Sequence, residues 1–139
     1  MEQDQLTNFL MAATKRPFLW GQSDCFIFTT EWLKEKTGTD IFNGYKYKDH
    51  YQTSKSAIKL YRNYRFKNIE HVWSHFLKKI NFCDAERGDI CLKNIEGFKI
   101  PASGIVLDNY LSAYKSENGL SLYPTNLSSA FFKVEKCLP

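Results

Sequence analysis

The sequence lacks several features that would place it quickly. Its four cysteines are Cys25, Cys83, Cys91 and Cys137, and no two of them have zinc-knuckle spacing. No histidine stands near any of them in a finger pattern, so a structural zinc site is not expected. No run approaches the ~20 apolar residues that a membrane span needs. The opening MEQDQLTNFL has neither a basic n-region nor an apolar h-region, so no secretory signal is expected. The thiols are accordingly expected to be free, in a reducing cytoplasm. No internal repeat, linker or low-complexity tract is present. A large excess of one charge is missing too, because 19 Lys and Arg against 15 Asp and Glu leave only +4. That balance permits an anionic partner without arguing for one.

What the chain does contain is material for a core. Its 139 residues suit one domain, spanning 1–139. A content of 43% hydrophobic and 24% charged residues is that of a soluble globular domain and excludes disorder or a fibrous repeat. Aromatics reach 16%, with 11 Phe, 8 Tyr and 3 Trp. Each buried ring removes roughly 150–250 Å² from water.

Hydrophobic spacing then orders the chain. Leu6, Phe9, Leu10 and Ala13 predict a short helix that Pro17 stops. Ser23 or Asp24 reads as the N-cap of a second helix, with Cys25, Phe26, Phe28, Thr29, Trp32 and Leu33 as its apolar stripe and Gly38 as its stop. Residues 54–64 predict a third helix. Asn68 caps a fourth that runs to Ile80, with Ile69, Val72, Trp73, Phe76 and Leu77 on one side. After Cys83 the segments RGDICL, SGIVLDN, YLSAYKSE, GLSLYP and AFFKVEKCL are short, β-rich and separated by turn residues, as strands are. This segregation predicts an α+β domain with N-terminal helices packed on a mostly antiparallel sheet.

The sharpest chemical feature is Trp20-Gly21-Gln22-Ser23-Asp24-Cys25, leading straight into a helix. A thiol in the first helical turn faces unpaired N–H groups and the positive end of the macrodipole. Both favour the nucleophilic thiolate. The other reading is that Cys25 packs inward beside Phe28 and Thr29 as a small hydrophobe.

The stretch from Trp20 to Phe28 resembles the nucleophile motif of the NlpC/P60 superfamily. Its members have a papain-like fold and carry a tryptophan–glycine pair, an aspartate–cysteine pair and an aromatic in the following helix. Arg87-Gly88-Asp89-Ile90-Cys91-Leu92 is similar to the start of that family's first central strand. Ser103-Gly104-Ile105-Val106-Leu107 is similar to the next, where the family reads histidine–valine–glycine–isoleucine. The three agree in order and spacing. Asn118-Gly119-Leu120, Pro124 and the closing AFFKVEK resemble a compact branch common near phage and prophage tail genes. Only that branch resembles the chain over residues 45–82.

One departure stands out. The active family begins its second strand with a histidine, the general base, and here that position is Ala102. Asp108 and Asn109 lie nearest the place of the residue that orients the base. The only histidines are His50, His71 and His75. His50, in a tyrosine-rich loop, is the candidate substitute base. His71 and His75 share a helix face at metal-ligand spacing, but the zincin glutamate is missing, and a solvated or partly packed face is expected. No metal and no cofactor is expected.

Two other features read as structural. Arg87-Gly88-Asp89 is formally an integrin-type tripeptide, yet it stands at a strand start. Residues 45–67 interleave Lys46, Lys48, Lys55, Lys59, Arg62, Arg65 and Lys67 with five tyrosines, Tyr45, Tyr47, Tyr51, Tyr61 and Tyr64. A protein-docking surface or a solvated helix face fits this run better than nucleic acid does.

The resemblance, with its missing histidine, implies a tail-tip or baseplate protein that kept the NlpC/P60 scaffold and lost the base. Its partners would be other tail proteins, and it would reside in the virion tail, or in the bacterial cytoplasm before assembly. The alternative is a cysteine peptidase or amidase acting on peptidoglycan peptides. There Cys25 would form a thioester, its own N–H would hold the oxyanion, and Asp24 would shape the turn.

Overall fold

A computed structural model of the protein describes residues 4–96, 99–117 and 119–135. Asn118, Lys136 and Cys137 lie outside the described residues.

Each helix begins where a short polar side chain can take over an orphan N–H. Asp4 caps α1 (Gln5–Ala13) through the Thr7 N–H. Asp24, rather than Ser23, caps α2 (Cys25–Thr37), which ends at Gly38 in the left-handed region, φ +75°. Thr53 and Ser56 form a reciprocal capping box at the head of α3 (Ser54–Asn63). Asn68 caps α4 (Ile69–Phe76) through the His71 N–H.

The strands are β1 (Lys78–Ile80), β2 (Ile90–Lys93), β3 (Ala102–Val106), β4 (Leu111–Ser116), β5 (Gly119–Pro124) and β6 (Ala130–Lys133). They form one six-stranded sheet in the order β1-β6-β2-β3-β4-β5, and every neighbouring pair is antiparallel. The class is therefore α+β.

The fourth helix is shorter than its spacing predicts. It stops at Phe76, Leu77 is extended, and Lys78–Ile80 pairs with β6, opposite Lys133 to Phe131. A helix carried on to Ile80 would leave the outer backbone groups of β6 without partners, and pairing satisfies them. The last strand is also shorter than predicted. It ends at Lys133, and the Val134 N–H turns to the Asp89 carboxylate at 2.9 Å.

One sheet face carries Ile90, Leu92, Ile105 and Phe132 into a core shared with Phe9, Phe28, Trp32, Leu33 and Trp73 from the helices. The buried indoles place their polar hydrogens on the sheet side. Trp73 donates to Ser103 Oγ at 3.0 Å, and Trp32 donates to the Gly88 carbonyl at 2.8 Å. The opposite face carries Cys91, Ala102, Val106, Tyr114 and Phe131 in a second cluster, which Cys25 joins. The N-terminus of α2 thus stands beside the start of β3.

Candidate functional site

The loop before α2 is built around Asp24. Its Oδ1 accepts the Ile27 N–H at 2.9 Å, and its Oδ2 accepts the Gly21 N–H at 2.7 Å. The Tyr51 hydroxyl is hydrogen-bonded to the same carboxylate. Burial raises the Asp24 pKa, and these bonds offset only part of that effect. Gly21 sits at φ +81°, and its carbonyl accepts the Asp49 N–H at 2.8 Å. Segment 45–51 therefore straps down onto the loop that presents Cys25.

Cys25 is the first residue of α2, as the sequence predicts, and of its two readings the structure shows the inward-packed one. The residue is 3% exposed. Burial, and then the charge of Asp24, push the thiol up to about 12. The N–H groups of Ser103, Cys25 and Phe26 act in the opposite direction and are outweighed. Donors at a helix end favour a thiolate, but loss of water disfavours it more.

Ala102 is fully buried at the start of β3, in the same cluster as Cys25. A methyl group thus stands where the resemblance expects the imidazole. His50 does not replace it. It is exposed, its N–H is held by the Tyr47 carbonyl, and its ring borders a surface groove beside Glu31, Lys34 and Asp40. Among the described residues, no histidine is hydrogen-bonded to Cys25. Asp108 is committed to the turn before β4. Its carboxylate accepts the N–H groups of Tyr110 and Leu111 at 2.7 and 2.8 Å, and these bonds lower its pKa. Asn109 is exposed in the same turn.

A cavity of about 70 Å³ reaches Cys25 from the side of α3. Its walls include Trp20, Tyr47, Tyr51, Tyr61 and Phe66, with Cys25 and Ser103 among the few polar groups. The space is apolar and ringed by aromatics. No His, Asp, Glu or Lys is among the described residues that line it.

Residues 2–134 match a family described as a domain of unknown function, DUF6950. The chain belongs to that family. No curated protein and no solved structure matches it. The description of DUF6950 carries no activity.

The other predicted features of this DUF6950 chain have structural roles. Asp89 of the Arg87-Gly88-Asp89 triplet is 1% exposed. It accepts the N–H groups of Glu86 and Val134 and pairs with Lys133 at 3.2 Å. Arg87 is paired with Asp4. His71 Nδ1 accepts the Lys67 N–H at 3.0 Å, and the rings of His71 and His75 pack edge-on against Phe66. Among the described residues, no three His, Cys, Asp or Glu side chains gather to hold a metal. No described helix is long and apolar enough to cross a membrane.

Sequence reasoning missed two residues. Tyr51 closes the loop over Asp24, and no spacing rule marks a tyrosine 27 positions away from its partner. Tyr114 donates to Cys91 Sγ at 3.1 Å and lies 2.7 Å from Ser128 Oγ. Its one visible signal is Gly104 inside a strand, a residue type that marks close approach.

Proposed function

We propose that this DUF6950 chain is a structural, non-catalytic protein on an NlpC/P60-like scaffold, serving in a phage or prophage tail at the tip or baseplate. The observation that carries the non-catalytic reading is the pair Cys25 and Ala102: a buried thiol beside a methyl group. Acyl transfer through a thioester needs a base for the thiol, an acid for the leaving amine and a base for water. Alanine supplies none of them, and His50 lies outside the cavity that Cys25 borders. The aromatic walls of that cavity fit a packed scaffold better than a polar substrate cleft. The tail setting, the virion location and the tail-protein partners follow from the likeness to the compact branch described above.

One observation favours a second reading. The N–H groups of Cys25, Phe26 and Ser103 act on the sulfur, and such donors could hold an oxyanion. On that reading Cys25 attacks peptidoglycan peptides, with Asp24 shaping the turn and His50 swinging in as base.

The pH dependence of Cys25 alkylation, with Cys25→Ser to subtract the other thiols, separates the two. The structural reading expects Cys25 to react only as fast as the fold opens. A fast-reacting thiol titrating below ~7, against ~8.5 for a free thiol, would overturn it. Cleavage of a peptidoglycan peptide that is lost in Cys25→Ser would do the same.

A further inference from the structure

The positive charge of the chain is concentrated in one segment. Residues 51–67 hold Lys55, Lys59, Arg62, Arg65 and Lys67 and no Asp or Glu, a charge of +5. The whole chain carries +4, so the remaining residues sum to 4 − 5 = −1. All five cations are exposed. None of them takes part in an ion pair among the described residues, whose pairs use Arg16, Lys79, Arg87 and Lys133. Lys55, Lys59 and Arg62 stand at i, i+4 and i+7 on α3, which is one face of a helix. The other side of α3 turns Ala57, Leu60 and Tyr61 into the aromatic cavity.

We propose that the outward face of α3, continued by Arg65 and Lys67, is a docking surface for an acidic patch on a partner protein. The inference deepens the structural reading and takes from it that the partner is a protein of the same assembly. The surface itself does not depend on whether Cys25 reacts.

Two observations favour a protein over a nucleic acid. The interleaved tyrosines are largely engaged: Tyr51 and Tyr61 line the cavity, and Tyr64, though exposed, packs edge-on against Tyr45 with ring centroids 5.1 Å apart while its hydroxyl accepts the Lys46 N–H. Bases would find little free aromatic surface to stack on. The stripe is also short. A helix of 10 residues spans about 15 Å. Duplex DNA carries a charge about every 1.7 Å along its whole length and would run on across a surface with no net positive charge. A local acidic patch matches the stripe in extent.

The test uses the full chain and two fluorescent probes: a helical peptide with glutamates at i, i+4 and i+7, and a short duplex DNA of equal charge. The expected result is salt-sensitive binding of the peptide. It should weaken by about tenfold or more in Lys55→Glu/Lys59→Glu/Arg62→Glu, where attraction becomes repulsion. A control of equal charge change, Lys15→Glu/Lys78→Glu/Lys99→Glu, should lose little. Cys25→Ser should bind as wild type does, so failure here is distinct from failure of the alkylation test. Equal loss in both triple variants, tighter binding of the duplex, or no binding of the peptide would each overturn the proposal. If the reversal lowers the thermal midpoint, the glutamine versions of the same three positions replace it.

Discussion

The Tyr51 carbonyl oxygen lies 2.1 Å from the point where a β-carbon on Gly21 would stand. The same glycine is at φ +81°, donates to Asp24 and accepts from Asp49. Side-chain volume is therefore excluded twice, by the backbone conformation and by the strap laid over it. Gly21→Ala should destabilise the fold by about 2–5 kcal/mol, the sum of left-handed strain and backbone displacement. Urea denaturation measures this. The same variant should alkylate faster at Cys25, because lifting segment 45–51 opens the route to the thiol.

Asp24 predicts a pH dependence of unusual sign for a carboxylate. Burial raises its native pKa above the ordinary 3.8, so between those two values the folded state holds more protons than the unfolded one. Its contribution to stability is then complete below 3.8 and is lost as pH rises through the native value. Asp24→Asn removes the titration and keeps an oxygen for the Ile27 N–H. Wild type should gain stability relative to Asp24→Asn as pH falls toward the unfolded value. A wild type that loses stability relative to Asp24→Asn as pH falls would show that the hydrogen bonds outweigh desolvation. Asp24→Ala should cost about 2–4 kcal/mol at neutral pH, because it removes a cap and orphans the Gly21 N–H and the Tyr51 hydroxyl.

Local signals were legible and distant ones were not. Asp24 and Asn68 were readable as caps because a short polar side chain precedes an apolar stripe. Gly38 was readable as a stop because a left-handed residue was needed there. The separation of helices from strands followed from the change of period after Cys83. The end of α4 was hidden, since Leu77 continues the helical stripe and the competing partner, β6, lies some fifty residues on. The state of Cys25 was hidden for a related reason. The favourable dipole is local to the motif, whereas desolvation comes from chain brought in from elsewhere. Ala102 was informative from the sequence, because an absent imidazole needs no coordinates to be noticed.

Lys115 is buried in β4, and its ammonium donates to the carbonyl of Ala13, the last residue of α1, and to that of Arg16 just beyond it. A cation at a helix C-terminus meets both unpaired carbonyls and the negative end of the dipole. Burial lowers its pKa, with the charge of Arg16 adding to the effect. Lys115→Met keeps the volume and removes the donor. It should cost about 1–3 kcal/mol, the penalty for orphaned carbonyls. Hydrogen exchange should localise the damage, with faster exchange at the amides of Thr14 to Arg16 than across α2. Uniform acceleration would instead mean that Lys115 supports the whole core.

Gly104 and Tyr114 face each other across β3 and β4, and a β-carbon on Gly104 would stand 2.5 Å from the Tyr114 ring and 2.7 Å from the Ala113 carbonyl. The missing side chain is what lets Tyr114 lie flat on the sheet and place its hydroxyl between Cys91 and Ser128. Gly104→Ala should therefore destabilise by about 2–4 kcal/mol, through overpacking of a rigid ring. Tyr114→Leu should cost a similar amount through lost volume and the stranded Ser128 and Cys91 groups. The two effects share one cause, so they should not add. In the Tyr114→Leu background the alanine meets a flexible side chain, and only the contact with the Ala113 carbonyl persists. A double-mutant cycle should return a coupling of at least about 1 kcal/mol, with the double variant more stable than the sum of the singles predicts. Strict additivity would place the cost of Gly104→Ala in the Ala113 backbone alone, and Tyr114 would then be filling space rather than fitting the glycine.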